Sequence, residues 1–220
     1  MIEGRIGVAG LEEIRHRLGD LEGKAPSVLA RAINRTTANI KKNMAQQASA
    51  RYHVTNTDAR KTIKASQANR SSLGALVASR GSPISLAKFK VSPNRPVQYS
   101  RGRPSPKVYK AEVRKGQGKD PLDGNPKSFI AVMKNGHKGV FTRTGRTDGL
   151  TRRERNTMTY NSRSRANRNS SHEDIIRENY GPSVPQMIRN EESMAFIQED
   201  ARSTLEKRLD AEISNILRKG

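Results

Sequence analysis

The sequence predicts an α+β fold, with N-terminal and C-terminal amphipathic helices packed on a mainly antiparallel β-sheet and with long basic loops. Three observations predict it. Apolar residues near both ends recur at three- and four-residue steps, the spacing of one helical face. From about residue 72 the period falls to two, the spacing of a strand. Within that middle, the run from Ser128 to Arg143 is interrupted by Asn135-Gly136, the strongest short-range hairpin cue. The reading is one domain over residues 1–220. It comprises a helical part (1–66), a β-rich part (71–143), a mobile basic loop (144–172), and a turn with the closing helix (173–220).

Each element has its own justification. Ile2-Glu3-Gly4-Arg5 matches a protease-cleavage tag, as an added segment or by chance, and is assigned no element. Leu11, Ile14, Leu18 and Leu21 form a helical face that ends near Gly23. A second helix starts at Pro26, a favourable first-turn residue, and runs to about Gln47. Its stripe is Leu29, Ala32, Ile33, Thr36, Ile40, Met44 and Ala48, which leaves it long and half-exposed. Thr55 with Asp58 three residues on resembles a capping box and signals a short third helix that includes Ile63. Ser72–Ala78 and Ile84–Val91 read as strands separated by Gly81-Ser82-Pro83. Pro93, Pro96, Pro104 and Pro106 make residues 92–106 an extended loop. Lys107–Arg114 alternates as a further strand, and a Gly/Pro-rich turn runs from Gly116 to Pro126. The hairpin at Asn135-Gly136 follows. After the basic segment, order returns at Asp174–Tyr180, and Gly181-Pro182-Ser183-Val184-Pro185 is a stiff turn. The closing helix spans about Glu191 to Leu217, with Met194, Ile197, Ala201, Leu205, Leu209, Ile213 and Ile216 on one face.

Composition limits what such a chain can be. Leu, Ile, Val and Phe number 41 of 220 residues, and the net charge is +21. That combination marks a chain that is partly disordered or gains buried surface from partners. The charge is uneven: residues 1–50 carry a net +3, residues 51–172 a net +21, and residues 173–220 a net −3. A basic block of this kind attracts a polyanion or an acidic protein surface. With no Cys there is neither a disulfide framework nor a thiolate metal site. The longest apolar run, Phe129–Met133, is far short of the roughly 20 residues that span a bilayer. No signal-peptide core follows Met1, so the default expectation is a cytoplasmic protein without a membrane contact.

Motifs for chemistry are missing from the sequence. His16, His53, His137 and His172 lie in no metal-ligand spacing. There is no nucleophile elbow and no phosphate loop, and the few acids of the middle form no acid/base pair. The expectation is therefore no enzyme, no cofactor, no metal and no small-molecule substrate. Gly136-His137-Lys138-Gly139 has the spacing of an RNA-clamping loop, but that loop joins helices, whereas this one joins strands and reads as a turn. The basic middle has two readings: a phosphate-neutralising surface with few aromatic platforms, or loops that order against acidic neighbours in an assembly. Composition does not separate them.

The order of these segments resembles a known family. The resemblance rests on Ala32-Ile33-Asn34-Arg35 in a polar helix, the hairpin Phe129-Ile130-Ala131-Val132-Met133-Lys134-Asn135-Gly136-His137-Lys138-Gly139-Val140-Phe141-Thr142-Arg143, and Tyr180-Gly181-Pro182-Ser183-Val184-Pro185-Gln186-Met187 before the closing helix. Over about 25–217 the chain is similar to the minor tail protein Z, or tail completion, family of long-tailed phages and prophages. Residues 146–172 depart from the family pattern as an enlarged basic connection. The resemblance implies a non-enzymatic virion protein at the head-proximal end of the tail, made in the host cytoplasm. It implies a homo-oligomeric ring, contacts to other tail and head–tail connector proteins, and DNA in the lumen as a further contact. The strands flanking Asn135-Gly136 offer an edge for pairing between copies. The candidate partner or DNA contacts are Arg101, Arg103, Arg143, Arg146, Arg152, Arg153 and Arg155. The alternatives are a free, basic, partly disordered nucleic-acid-binding protein and a regulatory adaptor, for which no positive feature is visible.

Overall fold

The computed structural model describes residues 2–7, 11–97, 108–123, 128–146 and 174–218. The chain divides into two units, Met1–Ile84 with Pro182–Gly220, and Ser85–Gly181.

The first unit is built on α2 (Ala25–Arg51). All seven residues of its predicted stripe are buried, and Leu29 and Ile33 are fully enclosed. Burying one such side chain is worth about 1.5–3 kcal/mol. The helix α1 (Leu11–Leu18) joins it through Ile14 and Leu18. That helix stops earlier than Gly23, because Gly19 adopts φ +52°, the left-handed conformation that ends helices, and a 3₁₀ turn over Gly19–Lys24 follows. The third helix, α3 (Asn56–Lys61), is capped by Thr55, whose Oγ1 accepts from the Asp58 N–H at 3.1 Å. Ile63 lies beyond that helix, in a strand.

Three strands form an antiparallel sheet in the order β1 (Ile2–Gly7), β3 (Gly74–Ser79), β2 (Ile63–Ala65). Ile2 and Ile63 flank Ser79 from opposite sides. One side of α2 packs on this sheet and another on α5 (Glu191–Leu217). Ile197 and Ile213 of α5 are buried, and Leu205, Leu209 and Ile216 pack half-buried on the core. Before it, α4 (Val184–Ile188) begins inside the expected stiff turn. Pro185 suits a first helical turn, and Gln186 Oε1 folds back to accept from the Ser183 N–H at 2.8 Å.

The second unit holds small antiparallel sheets instead of one continuous sheet. The expected strand Ile84–Val91 is divided: β4 (Ile84–Ser85) leads into a 3₁₀ turn at Leu86–Lys88, then β5 (Lys90–Ser92). Leu86 and Phe89 are both buried three residues apart, a spacing that a turn satisfies and an alternating strand does not. The order β5–β6–β7 includes β6 (Lys110–Glu112) and β7 (Asp120–Pro121). Among the described residues of the expected strand 107–114, the strand β6 covers Lys110–Glu112. Tyr109 and Ala111 are buried as the alternation requires, while Glu112 is buried against it and takes Lys90 Nζ at 2.9 Å. The last sheet has the order β10–β9–β8, from β8 (Phe129–Val132), β9 (Lys138–Arg146) and β10 (Asp174–Glu178). A short segment, β11 (Tyr180–Gly181), follows.

Candidate functional site

The hairpin forms where the sequence places it, but its turn is a three-residue loop and not a two-residue one. The Gly136 N–H donates to Met133 O at 2.8 Å, and the Met133 N–H donates to His137 O at 2.8 Å. Gly136 has φ +81°, and among the described residues no other residue type has a positive φ. Lys134 and Asn135 therefore form the centre of the turn, and Gly136 is the left-handed residue that closes a three-residue loop. Asn135 Oδ1 accepts from the His137 N–H at 3.0 Å. Gly136-His137-Lys138-Gly139 is thus a strand turn.

The register places Phe129, Phe141 and Glu178 in one row across the sheet. The Phe129 and Phe141 rings lie 6.2 Å apart, and His137 meets Phe141 edge-on at 6.3 Å. Gly139 lies two residues before Phe141 on the same face. A Cβ there would stand 2.6 Å from Phe141 Cζ and 2.9 Å from Glu178 Oε1, so this glycine makes room for both.

Glu178 is a hub. It accepts from Ser85 Oγ and from Tyr180 OH (2.9 Å), and its Oε1 lies 2.9 Å from His137 Nε2. Burial alone would push its carboxyl up. The hydrogen bonds from Ser85, Tyr180 and His137, with the charge of His137, outweigh that and hold it below its ordinary 4.5. The same hydrogen bond to Glu178 raises the Tyr180 phenol. Beside it, Asn179 Nδ2 donates to Ser128 Oγ and Thr142 Oγ1, both at 2.9 Å, and the Asn179 N–H donates to Val140 O at 2.8 Å. Lys138 Nζ fastens the hairpin to the Oδ1 (2.8 Å) and backbone carbonyl of Asn94. These contacts close a strand end and a turn. Sequence reasoning missed Ser85, Glu178 and Asn179, because their partners are distant in the chain.

Of the predicted contact residues, Arg143 is exposed on β9, its guanidinium carbon 4.3 Å from the Phe129 ring centroid. Arg146 ends the same strand, in register with Asp174. Asn135 and Gly136 occupy the turn as expected. Arg101, Arg103, Arg152, Arg153 and Arg155 lie outside the described residues; of the expected mobile loop 144–172, residues 144–146 instead end the strand β9, paired with β10, and the rest lies outside the described residues. Among the described residues there is no group of three or more His, Cys, Asp or Glu that could hold a metal ion. No helix among them is long and apolar enough to cross a membrane.

An α+β chain with this basic hairpin, its polar fastening and two long helices has the make-up of an assembly part. The chain belongs to the prophage minor tail protein Z family, whose model matches residues 8–219. It is a structural protein of a phage tail. No curated protein and no solved structure matches it.

Proposed function

We propose that this protein completes the head-proximal end of a long phage tail and joins tail to head, acting as a homo-oligomeric ring without catalysis. The observation that supports this is the family match over residues 8–219, nearly the whole chain. Its partners are copies of itself and the adjoining tail and connector proteins, and it works in the virion after assembly in the host cytoplasm. A chain poor in large aliphatic residues gains stability from burying surface against neighbours.

The net charge of +21 supports a second part of the reading, contact with DNA in the lumen through Arg143, Arg146, Arg152, Arg153, Arg155, Arg101 and Arg103. Replacing Arg146, Arg152, Arg153 and Arg155 together by Ser should leave the circular dichroism spectrum unchanged. Electron microscopy of the lysate should then show filled heads and tails that remain separate, or joined particles that fail to deliver DNA. A normal infectious titre from this variant overturns the role of these arginines. Normal particles from a prophage lacking the whole chain overturn the joining function.

A further inference from the structure

Asn135 is the one asparagine of the sequence that is followed by glycine. The fold sets the pair at the tip of the β8–β9 hairpin. Asn135, Gly136 and His137 are all exposed, and a Cβ built on Gly136 would meet nothing within 4 Å, so the flank of this peptide is open to water. The side-chain carbonyl is fixed, because Asn135 Oδ1 accepts from the His137 N–H at 3.0 Å. That bond ties Oδ1 to the backbone two residues on and folds Cγ back toward the intervening peptide, whose nitrogen belongs to Gly136. Asn135 Nδ2 makes no hydrogen bond among the described residues. Any residue other than glycine at 136 would screen the nitrogen with its Cβ.

We infer that Asn135 is a modification site, where the side-chain amide is lost without an enzyme and water is the only co-reactant. The Gly136 nitrogen bonds to Asn135 Cγ, and the Cγ–Nδ2 bond breaks. The Gly136 proton leaves with Nδ2 as ammonia, and a cyclic imide remains. Water then adds across one of the two ring C–N bonds and leaves either aspartate or isoaspartate at position 135. Neither step oxidises or reduces anything. The His137 N–H is placed to carry the charge that builds on Oδ1 as the nitrogen attacks. The Gly136 N–H bond to Met133 O at 2.8 Å opposes the step, since the nitrogen gives up that contact to react. The native hairpin therefore slows the loss relative to an unfolded chain and does not prevent it. Either product sets a carboxylate between Lys134 and His137. Isoaspartate also lengthens the backbone of the loop that the Met133–His137 pairing closes. A tail protein in a finished particle is not renewed, so the modified share rises with the age of the particle.

Asn69 and Asn190 serve as controls inside the same chain. Their Oδ1 atoms also accept from the N–H two residues on, at 2.9 Å from Ser71 and 3.0 Å from Glu192, but Arg70 and Glu191 follow them in place of glycine. The full-length protein is kept folded at neutral pH, with circular dichroism as the check. Samples taken over weeks are read by peptide mass spectrometry, and isoaspartate by its methyltransferase. Asn135 should lose its amide at least about ten-fold faster than Asn69 and Asn190, the order expected when a side chain holds a nucleophile off its attack position. Both acids should form. Asn135→Gln, whose longer side chain does not close the same ring, should keep its amide over the same period. In urea the wild-type rate should rise, as Met133 O releases the nitrogen. An Asn135 that keeps its amide as long as the two controls, or loses it only in urea, overturns the site. Aspartate formed without isoaspartate, or amide loss from Asn135→Gln at the wild-type rate, overturns the imide route.

Discussion

In the unit built on α2, the fully enclosed side chains include Val28, Leu29, Ile33, Ile63, Met187 and Ile188, and no aromatic residue among those described is buried there. In the unit Ser85–Gly181, the large buried side chains include Phe89, Tyr109 and Phe141. Much of what ties its strands together is polar, centred on Glu178 and Asn179. The helical unit is stabilised by a long aliphatic stripe, which the regular helix supplies at little local cost. The β-rich unit has strands of two to nine residues, too short to enclose much apolar surface, and is completed by hydrogen bonds between distant segments. A chain with few large aliphatic residues has spent them mostly in one place.

The largest effect should come from the aliphatic stripe. Ile33 is fully enclosed between α2 and its neighbours, so Ile33→Ala should cost about 2–5 kcal/mol through lost burial and the cavity left behind. Urea unfolding followed by the helical circular dichroism signal reads it directly. A loss below about 1 kcal/mol would mean that the stripe is not what holds this unit.

Next comes the polar hub. Glu178→Ala removes the acceptor for Ser85, His137 and Tyr180, and should cost about 2 kcal/mol. It should also change the pH response. The folded carboxyl titrates below its ordinary 4.5, so its contribution is fully present above that value and disappears as pH falls through the lower folded value. Wild type should therefore lose stability below about 4.5, and Glu178→Ala should lose less over the same interval. Equal acid sensitivity in the two proteins would remove Glu178 from this role.

The contrast also explains what was legible in the sequence. The stripes of α2 and α5 and the Asn135-Gly136 hairpin are local patterns, each written within a few tens of residues. The strand β1 has the alternation Ile2, Gly4, Ile6, but its partner β3 lies some seventy residues on, and neither segment announces the other. Glu178 is 93 residues from Ser85 and 41 from His137, so the hub exists only once the strands are in register. Glu212 was hidden for the same reason. A carboxylate on the apolar face of α5 reads as a flaw until Arg31 and Arg35, one turn apart on α2, are brought to it. Burial patterns follow from periodicity, whereas polar partnerships across the fold do not.

The smallest effect tests the most legible element. Gly136 closes the turn at φ +81°, and a Cβ built there meets nothing within 4 Å, so the cost of Gly136→Ala is conformational and not steric crowding from neighbours. It should be about 1–2 kcal/mol, the penalty an L-residue pays in the left-handed region. Gly136→Asn should recover part of it, since Asn tolerates that region better than Ala. Thermal unfolding of the three proteins gives the ranking Gly, Asn, Ala. If Ala instead matched Gly, the turn would have to change to one with no positive φ. The register of Phe129 with Phe141, and with it the placement of Gly139 beside Glu178, would then shift by a residue and turn those side chains to the opposite face.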